Sequence, residues 1–212
     1  MKKLMMIAAM MVAAVSANAQ FEPGTFSIQP KVGGTISKLS NMPSYGDIKS
    51  TFYVGGLVGA EFEYQVAQPF SLAAGLNFAM QGGQWDDFKS GATELKKPKI
   101  EMTYLNVPLV ANVYLFKGFA IKAGVQVGFL LSANYKFELK EGDATAKIDK
   151  KIKDDCKTVD FSIPMGISYQ VPTIPIYIDA RYNLGLTNIS KDSDYTTKNR
   201  VFQLTVGYKF AL

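Results

Sequence analysis

The 212-residue chain contains no histidine and one cysteine, Cys156. A single cysteine excludes an intrachain disulfide and leaves the redox compartment open. Without histidine, the chain lacks the side chain that most readily exchanges protons near neutral pH, and the histidine-dependent hydrolytic mechanisms go with it. Clusters of histidine and cysteine with transition-metal spacing are also missing. Charge is sparse: 19% of residues are Asp, Glu, Lys or Arg. The net charge of +5 is dispersed or gathered in one connection, and no basic stripe alternates with aromatics as in nucleic-acid binders. Beyond the first residues, no apolar run is long enough to cross a membrane as a helix, and no 3.6-residue apolar stripe appears.

The amino-terminal stretch reads as an address. Lys2 and Lys3 form a positive region, Leu4 to Val15 an apolar one, and Ala17-Asn18-Ala19 a small-x-small cleavage site. The expectation is a cleaved signal peptide over 1–19 and a single domain over 20–212.

That domain is written with a period of two. Its last run is the clearest example. Phe202, Leu204, Val206, Tyr208, Phe210 and Leu212 alternate with Gln203, Thr205, Gly207, Lys209 and Ala211. Seven earlier segments alternate likewise, over about 25–37, 51–66, 69–81, 99–116, 118–137, 158–171 and 174–187. The connections also alternate. Those at 67–68, 117–118 and 172–173 are very short, whereas 38–50, 82–98, 138–157 and 188–199 are long. Short turns on one side and long loops on the other are the pattern of an outer-membrane barrel. The segments exceed the five or six residues of an ordinary soluble strand and suit a tilted spanning strand of about 9–11.

Two barrels fit a period of two: one in lipid with its apolar face outward, or a soluble, lipocalin-like one with its apolar face inward. The polar face carries Lys31, Glu61, Lys122, Asp160, Asp179 and Arg181 at mid-strand, with Lys209 in the last run. Burying those charges in an apolar core is expensive. A polar lumen in which opposite signs pair accommodates them, and its tight interior suits the glycine and serine of that face. Phe52, Phe70, Phe116, Phe119, Tyr169 and Phe210 stand near segment ends, as interfacial girdles require. The predicted fold is therefore an all-β, eight-stranded antiparallel up-and-down transmembrane β-barrel in a bacterial outer membrane.

Four stretches carry a family resemblance: YLNVPL from Tyr104 to Leu109, DFSIPMG from Asp160 to Gly166, RYNLGLTNI from Arg181 to Ile189, and the VGYKF ending from Val206 to Phe210. Together they resemble the small outer-membrane β-barrel domain family that includes the PorT-like proteins. The ending also resembles the signal read by the barrel-assembly machinery, on Thr205, Gly207, Phe210 and Leu212. The resemblance implies architecture more than activity, and it adds one role: an accessory part of a secretion or assembly machine.

The chemistry on offer is limited. Asp160 and Asp179 could serve a carboxylate-only hydrolase, but the competing expectation is that Lys31, Lys122, Arg181 or Lys209 holds them. Gly55-Gly56-x-x-Gly59 lacks the following helix and lysine-serine pair of a phosphate loop and reads as packing. Cys156 sits in a lysine-rich connection, either as a somewhat reactive thiol or as an incidental one. Lys147, Lys150, Lys151 and Lys153, with Lys157, form the one uneven charge feature, either a solvated loop or a contact for lipopolysaccharide phosphates. Trp85, Tyr45 and Tyr195 offer loop contact surface. No cofactor is expected. The function expected is non-enzymatic, structural or surface-interacting, with outer-membrane lipid, lipopolysaccharide, a surface or secretion-machinery protein and the assembly machinery as partners. A small pore is a weaker alternative.

Overall fold

The computed structural model describes residues 22–40, 50–90, 93–141, 144–172, 174–192 and 196–212. The expected leader, Tyr45 and Tyr195 lie outside the described residues. Eight long strands make up the barrel: β1 (Phe26–Leu39), β2 (Tyr53–Ala67), β3 (Phe70–Trp85), β4 (Thr93–Phe116), β5 (Phe119–Glu141), β6 (Val159–Gln170), β7 (Ile176–Gly185) and β8 (Asn199–Tyr208). Each pairs antiparallel with the next in sequence, and β8 pairs with β1, so the sheet returns to its start. Four short strands extend it. Phe210–Ala211 continues the β8 register along β1, and Ala144–Lys151 folds back on β5.

Alternation gives each strand two faces, and the face that carries the charges is the inner one. Glu61 is 0% exposed and Arg181 2%, while Val54 is 71% and Val32 62% exposed. Leu76, Leu109, Phe161, Ile178 and Leu204 stand outward around the wall in the same way. A soluble, inside-apolar barrel has the opposite polarity, so that reading is set aside.

Three tight turns join β2 to β3, β4 to β5 and β6 to β7, at the end where the first and last strands also meet. Gly118 makes one of them possible. Its φ is +83°, and a Cβ there would lie 2.2 Å from the Gln170 carbonyl oxygen. Aromatic pairs ring this end. Phe26 packs on Tyr64 with centroids 4.6 Å apart, Phe116 stacks on Phe119 at 4.7 Å, and Tyr208 meets Phe210 at 4.3 Å. Phe52 stands at the opposite end, beneath the Lys38 ammonium.

That opposite end departs from expectation in two places. Much of the expected loop over 82–98 and 138–157 is strand: β4 and β5 run 24 and 23 residues, against 10 each for β7 and β8. Lys147, Lys150 and Lys151 thus lie on a strand, and Lys153 opens a one-turn 3-10 helix, Lys153–Asp155. Almost every residue of Ala144–Lys151 is exposed, so nothing imposes the apolar alternation by which strands are recognised in sequence. The second departure is a bulge in β5. Tyr104 pairs with Leu130 but Thr103 pairs with Ser132, so Leu131 is an extra residue. The parity flips there, and Ala133 takes the inward place that unbroken alternation from Lys122 and Gln126 would give to Ser132 and Asn134.

Candidate functional site

Among the described residues, eight side chains of the charged types are buried in the barrel interior: Lys31, Lys122, Arg181 and Lys209 against Glu61, Glu63, Asp160 and Asp179. Four cations facing four carboxylates make the lumen formally neutral. Small residues make room for them. A Cβ on Gly75 would lie 2.5 Å from Glu61 Cγ, and one on Gly59 2.2 Å from Asn77 Oδ1.

The middle of the lumen is an ion cluster centred on Arg181. Its two terminal nitrogens donate to Glu61 Oε1 and Oε2, both at 2.7 Å, in a fork-to-fork pair. The same guanidinium donates to Asp179 Oδ2 at 3.0 Å, and its Nε lies 2.7 Å from Asp179 Oδ1. Lys31 adds a 2.5 Å bond to Glu61, and Lys122 a 2.6 Å bond to Asp179. These five residues come from β1, β2, β5 and β7, so the cluster ties together strands that are not all neighbours in the sheet.

Toward the tight turns, Glu63 is a second hub. It accepts from Ser71 Oγ at 2.6 Å, from Lys209 Nζ at 3.0 Å, and from Tyr114 Oη and Gln29 Nε2. Lys209 Nζ also donates to Tyr114 Oη at 3.0 Å. The cavity left among these groups measures about 10 Å³, room for one water. The period of two that puts Glu61 on the polar face puts Glu63 there as well, but neither it nor Tyr114 is among the expected members of the network. The available signal was numerical: adding Glu63 brings the carboxylates level with the cations.

Toward the other end, Asp160 corrects an expectation. Among the described residues no cation lies within 4 Å of it. It accepts instead from Asn199 Nδ2 at 2.8 Å and from Thr187 Oγ1. The expected partners are drawn to Glu61, Asp179 and Glu63, nearer the tight turns. Above it the interior turns apolar. Leu39, Met102, Tyr104, Leu130, Ala133, Cys156 and Ile189 pack together, with Ile100 and Ile152 against them. The connections over 152–158 and 186–190 close this mouth. Ile152 N–H donates to the Ala133 carbonyl at 2.9 Å, and Lys157 N–H to the Ile189 carbonyl at 2.8 Å. Cys156 thus stays in the connection where it is expected, but not as a reactive thiol. It is buried in the plug, and burial pushes its thiol above the usual range.

The residues of the expected assembly signal divide between faces. Thr205 and Gly207 point inward, where a Cβ on Gly207 would lie 2.5 Å from the Tyr177 ring; Phe210 and Leu212 are exposed. The exposed lysines make only weak pairs, such as Lys147 with Glu138 at 3.5 Å. Among the described residues, no three Cys, Asp or Glu side chains are placed to hold a metal ion.

Residues 18–191 match the family described as outer membrane protein beta-barrel domain. Solved structures with a similar course include Ail, the attachment invasion locus protein of Yersinia pestis, at 13% identity over 89% of this chain and 99% of that one, with a TM-score of 0.48. Neisserial surface protein A is 11% identical over 87% and 97%, with a TM-score of 0.46. OprG of Pseudomonas aeruginosa is 13% identical over 91% and 99%, with a TM-score of 0.44. No curated protein matches the chain. With a family match spanning most of its length, the chain belongs to the outer-membrane β-barrel domain family and resides in the bacterial outer membrane.

Proposed function

We propose that the protein is a non-catalytic contact protein of the outer membrane, a sealed barrel that anchors a projecting β-hairpin end. The supporting observation is the filled lumen. A carboxylate hydrolase needs an acid free to attack or take a proton beside its substrate. Glu61, Glu63 and Asp179 are each bound by a cation, and Asp160 lies beneath the apolar mouth. A pore needs a continuous water path, and an eight-stranded barrel has space for little beyond its own side chains.

The working surface is then the long-connection end, where β4 and β5 extend well past the length of a spanning strand. Lys147, Lys150, Lys151 and Lys153 stand exposed there, as a surface for lipopolysaccharide phosphates or a surface protein. The assembly machinery reads Thr205, Gly207, Phe210 and Leu212 during insertion. The accessory role implied by the PorT-like resemblance would use the same projecting end.

The test is complementation of a strain lacking the gene. In one variant an Asn-Gly turn replaces residues 138–147, joining Phe137 to its direct partner Ile148. Glu61→Gln with Arg181→Gln is the other. Heat-modifiable gel mobility checks that each folds. The trimmed barrel should fold and fail to complement, and the folded lumen variant should complement. The reverse pattern places the activity inside the barrel and refutes the reading.

A further inference from the structure

The projecting end contains a cleft of about 400 Å³, formed where β4, β5 and Ala144–Lys151 lie side by side. That volume falls in the range of small-ligand sites. Its polar lining sets Lys97, Lys99, Lys136 and Lys147 against Glu138 and Asp149, and half-buried Phe137 and Ile148, directly paired across two strands, supply an apolar wall. We propose that this cleft binds a ligand carrying clustered phosphate groups beside an apolar body. The proposal rests on the reading that this end is the working surface, and it names what that surface takes.

Three observations carry it. First, positive charge is in excess. Over 94–101, 134–141 and 144–151, eight lysines face five carboxylates. Second, Lys99 and Lys136 stand directly opposite each other in the sheet, a like-charge pairing that destabilises strands. Glu101 lies between them, 3.2 Å from Lys99 and 2.9 Å from Lys136, and Asp149 adds a longer, more exposed pair to Lys136 at 3.6 Å. Third, Lys97 has a φ of +51°, a left-handed backbone that lysine rarely adopts. The Lys97 N–H donates 2.8 Å to Asp87 Oδ1, and Pro98 behind it is buried. This bulged backbone sets a lysine at the cleft, and among the described residues no carboxylate lies within 4 Å of its ammonium.

Lysine ammoniums are point-charge partners for phosphate oxygens, and several converging on one cleft favour a polyanion over a single carboxylate. Phosphates beside an apolar body are found in the headgroup of a phosphorylated glycolipid. The phosphates alone are found in a soluble polyphosphate. The ligand chemistry is shared and the two sources are separable.

The molecule carries its own reporter. Its only tryptophan, Trp85, meets Tyr135 edge-on at 6.2 Å, and Tyr135 packs on Phe137 of the cleft wall at 5.1 Å. The full chain, refolded into phosphatidylcholine nanodiscs, is titrated while Trp85 emission is followed. One arm uses nanodiscs containing a bis-phosphorylated diglucosamine lipid, and the other uses tripolyphosphate in solution. Wild type should respond to at least one probe, and the responding arm identifies the source. Lys97→Gln with Lys147→Gln should weaken binding at least about tenfold, given the worth of charged hydrogen bonds. Lys117→Gln, in a turn at the far end, should bind as wild type. Should the first pair fail the gel-mobility check, Lys99→Gln with Lys136→Gln replaces it. Silence in both arms, an unaffected cleft variant, or equal weakening by Lys117→Gln overturns the proposal. None of these results touches the sealed-barrel reading, which complementation tests without phosphate.

Discussion

The middle of the barrel and its mouth are both buried, yet they are built from opposite chemistry. In the middle, Arg181, Glu61, Asp179, Lys31 and Lys122 are joined by bonds of 2.5 to 3.0 Å. At the mouth, Leu39, Met102, Tyr104, Leu130, Cys156 and Ile189 pack with Asp160 as the nearest buried acid below. The middle gains little net stability from burying ions, because desolvation offsets most of the attraction, but removing one member leaves the others uncompensated. The mouth gains stability simply by removing apolar surface from water, roughly 25 cal/mol per Å². The ion cluster therefore cross-links β1, β2, β5 and β7 through the lumen, while the plug adds a local apolar layer.

The sharpest way to break this contrast is Arg181→Met. It strips two carboxylates of their shared partner and should destabilise the barrel by about 3–5 kcal/mol, read as a lower urea midpoint in lipid. A smaller loss would mean that the lumen admits enough water to solvate Glu61 and Asp179. Next is Leu130→Ala in the plug, which should remove about 2–4 kcal/mol through the cavity it leaves. Hydrogen exchange should locate the loosening in 152–158 and 186–190 rather than in β1 and β7. If exchange rises across the whole barrel, the two regions form one cooperative unit. The smallest effect should come from Asp160→Asn. With no cation among the described residues to lose, Thr187 still able to donate to the amide oxygen, and Asn199 able to turn its unpartnered Oδ1 toward the new amide nitrogen, the change should stay within about 1 kcal/mol. Asp179→Asn, losing Lys122 and Arg181 as ionic partners, should cost clearly more in the same urea series.

Periodicity made the strands and their faces legible. Gln203, Thr205 and Gly207 alternate with Leu204 and Val206, and the first set is indeed inside and the second outside. It failed where the sheet leaves the membrane. Strand Ala144–Lys151 carries charge on both faces, and the β5 bulge at Leu131 reverses parity without any glycine or proline to announce it. The candidate site was legible only as an inventory of inward charges. The partner of Glu61 lies 120 residues away at Arg181, and spacing along a chain carries no information about which side of a closed ring a strand will face. Glu63 gathering four donors, and the Cys156 side chain packing into the mouth from its connection, were hidden for the same reason.

The sequence alone determined that eight strands alternate, that their polar face holds charge of both signs, and that the short and long connections take turns. Those follow from local sterics and from the free energy of exposing a residue to lipid, to water or to an interior, each of which acts on one residue at a time. Tertiary structure decided which acid meets which base, that Asp160 meets none among the described residues, and that the mouth is apolar. Those depend on distances across the lumen, set by strand order, stagger and one extra residue in β5.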